Sequence, residues 1–203
     1  MGSFWDFCAP FYDMAERRNK KAYNAMLQAV RETVMPGASV LEIAAGTGGI
    51  SLAVADKAEH ILCTDISDKM LAVARKKAKK QEALNIEFGN INIFETGCKD
   101  DAFDIVIAAQ VLHLLDNPEK AAAELRRIGK SLLIMPISLT RDLKGQAKLM
   151  VNIFKLFGFS PKKEFDEAGY IDFLNEIGFK DIEMIQANGK IPIAVAIWRK
   201  PQE

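Results

Sequence analysis

The segment Val40-Leu41-Glu42-Ile43-Ala44-Ala45-Gly46-Thr47-Gly48-Gly49 constrains this chain more than any other stretch. A β-rich run, Ser39–Ile43, enters a turn without bulky side chains, and helix-period sequence follows over Thr47–Lys57. Such a turn lets backbone N–H groups approach a ligand, and the N-terminus of the following helix adds partial positive charge. The glycines alone do not choose among nicotinamide, flavin and other cofactors, and they also permit tight packing with no ligand at all.

The segments after this turn decide the fold class. Short β-rich runs alternate with helix-period stretches, the pattern of a parallel sheet covered on both faces. The expected order is strand His60–Asp65, helix Ser67–Gln81, strands Asn85–Ile91 and Phe103–Ala109, helix Asn117–Arg127 and strand Ser131–Ile137. The continuous apolar runs Ile105–Ala109 and Leu132–Met135 suit central strands buried on both faces. The ending differs: a helix over Phe165–Ile177 stops at Gly178, and Phe179–Gln186 and Ile191–Trp198 flank a turn at Asn188-Gly189. Two strands so joined predict an antiparallel hairpin, with Pro192 at the start of its strand. The expectation is a doubly wound, mostly parallel seven-stranded sheet ending in that hairpin.

One domain of 203 residues accommodates all of this. Its parts are a helical cap over 1–35, with a long helical stretch Phe11–Met35, a core over 36–137, an insert over 138–164, and the closing helix and hairpin over 165–203. Lys+Arg and Asp+Glu are each 27, so no charge excess exists to neutralise a phosphate backbone or hold an anionic surface. A small-molecule partner is favoured over nucleic acid or membrane. The basic run Arg75–Lys80 reads as the solvated side of a helix whose Met70, Leu71, Val73 and Ala74 face the sheet. Three dispersed cysteines without CxxC spacing predict free thiols and no metal site. No signal peptide or spanning stretch is visible, so a cytoplasmic monomer or homodimer is expected.

The second strand ends at Asp65, where a carboxylate can accept hydrogen bonds from both hydroxyls of a ribose; it can also cap the helix beginning near Ser67. The turn and Asp65 together point to an adenosine-containing ligand. Here the sequence resembles the class I S-adenosylmethionine-dependent methyltransferases. Glu42-Ile43-Ala44-Ala45-Gly46-Thr47-Gly48 resembles their acidic-x-Gly-x-Gly-x-Gly signature, Asp65 falls at their ribose position and Asn92 at their adenine position. Phe103-Asp104 opens the fourth strand as their Phe-Asp pair does, and Val111-Leu112-His113 is similar to the Val-Leu-His segment of the ubiquinone- and menaquinone-biosynthesis-like branch. Two positions depart from the pattern. Ala44 replaces the first glycine, and Asn92 replaces the usual Asp while keeping an oxygen that accepts from an adenine amino group.

The resemblance implies S-adenosyl-L-methionine held by Tyr12, Glu42, Ala44, Gly46, Gly48, Asp65, Ile66, Met70, Asn92, Ile93 and Gln110. It implies a first helix, opening Phe11-Tyr12-Asp13, that folds over the cofactor; Tyr23 is a weaker contact, and both tyrosines can equally be packing residues. His113, past the end of the fourth strand, is the candidate base, with a capping or packing role as the alternative. The insert, rich in apolar residues over Leu149–Phe159, reads as a lid over a hydrophobic acceptor, with Tyr12, His113, Phe154 and Phe157 touching it. A dimer interface or plain core gives the same pattern. No Asn/Asp-Pro-Pro-Tyr/Phe segment follows the fourth strand, which argues against exocyclic amino groups of bases as acceptors. The function expected is methyl transfer to a small apolar or aromatic acceptor. Quinone C-methylation is one alternative, and cofactor binding without transfer is another.

Overall fold

The computed structural model describes residues 2–156 and 158–201, except for the side chains of residues 2, 3, 15, 150 and 154. Its strands are β1 (Ser39–Ile43), β2 (His60–Thr64), β3 (Ile86–Gly89), β4 (Phe103–Ala108), β5 (Gly129–Ser138), β6 (Glu183–Ala187) and β7 (Ile193–Arg199). They form one sheet in the order β3-β2-β1-β4-β5-β7-β6. The pairs among β1 to β5 are parallel, and β7 runs antiparallel between β5 and β6. The chain winds outward from β1 to β3 and then returns to lay β4 on the other side of β1. This order reversal opens a crevice beyond the carboxyl ends of β1 and β4.

Alternation along the strands explains why the central runs are apolar throughout. Leu41, Ile43, Val106, Leu133 and Met135 face one core, shared with α6 (Pro118–Ile128), α8 (Glu167–Glu176) and Phe179. Val40, Ile105, Ile107, Leu132 and Ile134 face the other, shared with α3 (Lys20–Thr33), α4 (Gly49–Val54) and α5 (Asp68–Lys80). Because strand side chains alternate, two buried faces leave few positions for a polar residue, and Glu42 near the end of β1 is an exception.

Several boundaries move. The stretch Phe11–Met35 is not one helix but α2 (Tyr12–Arg17) and α3, preceded by an additional helix α1 (Gly2–Cys8). Asn19 marks the break, its side chain turned to the closing hairpin: Nδ2 donates to the Ile191 carbonyl at 2.7 Å and Oδ1 accepts from the Ile191 N–H at 3.1 Å. The helix after the first turn is α4, shorter than Thr47–Lys57, since Gly48 is held in the left-handed region (φ +73°) at its N-cap. The hairpin connection spans residues 188–192, because Ala187 pairs with Ile193. Gly189 there serves close approach: a Cβ would lie 2.6 Å from that of Ala22 on α3. Pro192 precedes β7, where it removes no ladder bond. The insert forms α7 (Gly145–Leu156).

Candidate active site

A cavity of about 730 Å³ opens at the crevice, within the size range of small-molecule sites. Tyr12, Glu42, Ala44, Gly46, Asp65, Ile66, Met70, Asn92, Ile93, Gln110 and His113 all line it. Gly48 does not. Its missing Cβ makes room instead for Ala74 of α5, 3.0 Å from where that atom would stand. The Phe154 side chain and Phe157 lie outside the described residues.

The turn after β1 is held from β2. Asp65, nearly buried, accepts from the Gly46 N–H at 2.8 Å through Oδ2 and from the Ser67 N–H at 2.8 Å through Oδ1. Burial pushes its pKa up, against the three backbone hydrogen bonds that lower it. The helix-capping role belongs to Ser67, whose hydroxyl accepts from the Met70 N–H at 3.2 Å and donates to Asp6 on α1 at 2.5 Å. Asp65 is therefore a brace for the glycine turn and keeps free acceptor capacity toward the cavity.

Two residues without the freedom of glycine sit in the left-handed region at the crevice: Ala44 after β1 (φ +54°) and Gln110 after β4 (φ +53°). Ala44 occupies the first glycine position of the signature, and the conformation costs an alanine roughly 1–2 kcal/mol. We expect Ala44→Gly to raise the unfolding free energy by about 1 kcal/mol in urea titrations, less than the full strain because glycine gains more freedom when unfolded. Gln110 is fixed three ways. Its N–H donates to the Pro136 carbonyl at 2.8 Å, its Nε2 to the Ser138 hydroxyl at 2.9 Å, and its Oε1 accepts from the Ser138 N–H at 3.0 Å. It joins the ends of β4 and β5 across the cavity floor rather than presenting a free amide.

Asn92 also spends its side chain locally, Oδ1 accepting from the Phe94 N–H at 3.0 Å. One lone pair of that oxygen stays available, so the side chain shapes its loop as well as facing the cavity. Ile66 is 41% exposed, whereas Met70 and Ile93 are buried.

Glu42 is 1% exposed and accepts from both the N–H and the hydroxyl of Ser51 on α4. Burial pushes its pKa up to about 7; the Ser51 hydrogen bonds oppose this, and Asp65 and Glu16 add to it. With a folded pKa above the unfolded value of about 4.3, the folded chain binds this proton more tightly. The group's contribution to stability therefore falls as pH rises from about 4.5 to about 7. Glu42→Gln keeps an acceptor for Ser51 and removes the titration. Its unfolding free energy relative to the parent, without cofactor, is expected to be higher at pH 7.5 than at pH 5.

The far end of the cavity is aromatic. Phe4 and Trp5 of α1 meet Phe159, beyond α7, at ring-centroid distances of 6.3 Å each, and Phe159 lies 6.4 Å from the His113 ring. Cap and insert thus converge over the crevice, and Val151, Ile153 and Pro161 complete that wall. His113, in the 3-10 turn Leu112–Leu114, is buried; its Nδ1 has no hydrogen-bond partner. Burial lowers its pKa to about 4 against the pull of Glu164, so the imidazole is neutral at pH 7. His60 begins β2, away from the cavity lining. Sequence reasoning missed Phe4, Trp5 and Glu16 as wall residues.

The reversed strand order, the antiparallel closing strand and the acidic crevice over a glycine turn define the class I methyltransferase fold. Residues 41–132 match the family described as "Methyltransferase domain". A demethylmenaquinone methyltransferase of Clavibacter sepedonicus is 33% identical over 94 residues, 46% of this chain and 38% of that protein. The chain spans about a third of the length of the curated relatives it matches. Among solved structures, a SAM-dependent methyltransferase of Thermotoga maritima, described as a possible histamine N-methyltransferase, superposes with TM-score 0.74 at 21% identity, covering 99% of this chain and 100% of that one. Magnesium protoporphyrin IX methyltransferase from Synechocystis with bound SAH superposes with TM-score 0.65 at 20% identity, covering 90% and 83%. The chain thus has the fold of the S-adenosylmethionine-dependent methyltransferases and is similar in sequence to a methyltransferase domain over residues 41–132.

Proposed function

We propose that this protein transfers the methyl group of S-adenosyl-L-methionine to a small apolar or aromatic acceptor. The observation that carries the reading is one cavity with two chemically different ends: Glu42, Asp65 and the glycine turn at one, Phe4, Trp5 and Phe159 at the other. The acidic end fits the cofactor. Asp65 keeps acceptor capacity for ribose hydroxyls, and buried carboxyls with raised pKa values suit a ligand bearing positive charge.

When bound, the cofactor supplies a carbon already activated by its sulfonium, so the chain mainly aligns the acceptor and excludes water. Gln110 holds the floor rigid between β4 and β5, and the aromatic wall removes water from the acceptor. His113, neutral at pH 7, is a hydrogen-bond partner through Nδ1 and only a weak base. Activity should therefore persist unchanged from pH 7 to pH 5.5 as far as His113 is concerned; an acid limb near pH 6.5 that vanishes in His113→Gln contradicts this.

The deciding experiment is a screen with methyl-labelled cofactor against quinols, phenols, amines and thiols. Label in phenols or quinols supports the reading. Label confined to hydrophilic amines or thiols argues against it, and no label despite tight cofactor binding supports a binding protein without transfer. A quinol acceptor is the specific variant favoured by the likeness to the Clavibacter protein. No helix among the described residues is long and apolar enough to cross a membrane.

A further inference from the structure

The acidic end of the cavity holds a carboxyl that ribose recognition does not need. Glu16, on α2, lines the cavity with Glu42 and Asp65. The hydroxyls of Tyr12 and Tyr23 both face it and favour its charged form. Those two rings press on the glycine turn itself. A Tyr12 ring carbon lies 3.8 Å from where a Cβ on Gly46 would be, and the Tyr23 hydroxyl 2.0 Å from where one on Gly49 would be. The bare Gly49 thus admits the Tyr23 hydroxyl, Tyr12 rests on Gly46 in ordinary contact, and both hydroxyls face Glu16 beside the turn. α2 is tied down beside it, with Asp13 accepting from the Thr47 hydroxyl at 2.6 Å and from Lys77 at 3.0 Å.

We propose that Glu16 is the recognition group for the α-ammonium of the cofactor's methionine end, a role that rests on the cofactor reading above. Asp65 at the end of β2 and Asn92 beyond β3 occupy the nucleoside side of the crevice. Glu16 stands toward β1, facing Glu42, where the other end of the ligand must lie. The groups facing Glu16 are Tyr12 and Asp13 of α2, Tyr23 of α3, Lys77 of α5 and Glu42 of β1. Lys77 is already engaged by Asp13 and by Thr47 at 3.2 Å, and Arg18, also on the cavity wall, is exposed. Without a further cation, Glu16 and Glu42 keep part of their protons near neutral pH.

Burial holds the Glu16 carboxyl at about 7, with Asp13 raising it further and Tyr23, Lys77 and Tyr12 opposing. An ammonium placed beside it favours the carboxylate, so the proton passes to solvent as the ligand binds. Affinity should then rise severalfold from pH 6 to pH 7.5, levelling above the free-protein value.

Two probes separate recognition from mere support of the fold. S-adenosylhomocysteine carries the amino-acid end, and 5′-methylthioadenosine lacks it. By calorimetry at pH 7.5, Glu16→Gln is expected to weaken S-adenosylhomocysteine about tenfold or more, the effect of losing a hydrogen bond between charged groups, while leaving 5′-methylthioadenosine unchanged. Equal loss for both ligands, or loss for neither, overturns the proposal. The unaltered protein gives an independent answer in buffers of different ionisation enthalpy: proton release with S-adenosylhomocysteine but not with 5′-methylthioadenosine supports it, and equal release with both overturns it. If the unaltered protein binds neither probe, the cofactor reading itself fails and this role falls with it. A protein that binds both probes but fails the comparison loses only the Glu16 role.

Discussion

Asp65→Ala is expected to weaken S-adenosyl-L-methionine binding by about 100-fold or more, the loss of two hydrogen bonds to a charged acceptor at about 1.5–3 kcal/mol each. The effect has two sources. The carboxylate that would accept the ribose hydroxyls disappears, and the Gly46 and Ser67 N–H groups lose the oxygens that hold the turn against β2. Asp65→Asn divides them, since an amide has only one acceptor oxygen to share between the turn and a ligand. Calorimetric titration of both variants gives the measurement. Affinity within threefold of the parent in Asp65→Ala would remove the ribose-binding role.

Phe179→Ala is the substitution expected to cost most stability, about 3–5 kcal/mol for a fully buried aromatic ring. The ring packs edge-on against Trp198 of β7 at 5.4 Å, and the Arg126 guanidinium lies over it at 5.0 Å while donating to the Ile177 carbonyl at 2.9 Å. Removing it leaves a void and loosens the Arg126 cap on the end of α8. The loss is comparable to the whole stability of a marginal domain. The urea midpoint should fall by about 2 M for a denaturant slope of about 2 kcal/mol per M. Phe179 is outside the cavity lining, so protein that remains folded should bind cofactor normally.

The sheet was legible because two-sided burial imposes continuous apolar strands, and Ile105–Ala108 and Leu132–Met135 have no other use. The acidic glycine turn and Asp65 stand out in the sequence because a tight strand-to-helix turn demands small residues at fixed offsets, and the structure brings both to the cavity. What escaped depended on tertiary placement. The break at Asn19 carries no proline or glycine; it follows from that side chain's partner in the hairpin. Gly48, expected at the cofactor, is not among the residues lining the cavity, and the packing of its bare Cα against Ala74 of α5 is invisible in the sequence. Phe4 and Trp5 gain meaning only when Phe159 arrives from the insert. Glu16 did leave a signal, being four residues beyond Tyr12 and so on the same helix face. Its importance needed Tyr23, which the helix break brings round to the same carboxyl.

The Asn19–Ile191 clamp joins positions 172 residues apart, and α3 packs along β6 and β7. Contacts of such sequence separation form late, after the loop they close has lost its freedom. On the ribosome, the cap that carries Tyr12, Glu16 and Tyr23 can rest on α4 and α5 early, through Asp13 on Thr47 and Lys77, but lacks its Asn19 anchor until the final strand has emerged. The closing hairpin is thus the last clamp on the wall that faces the acidic end of the cavity.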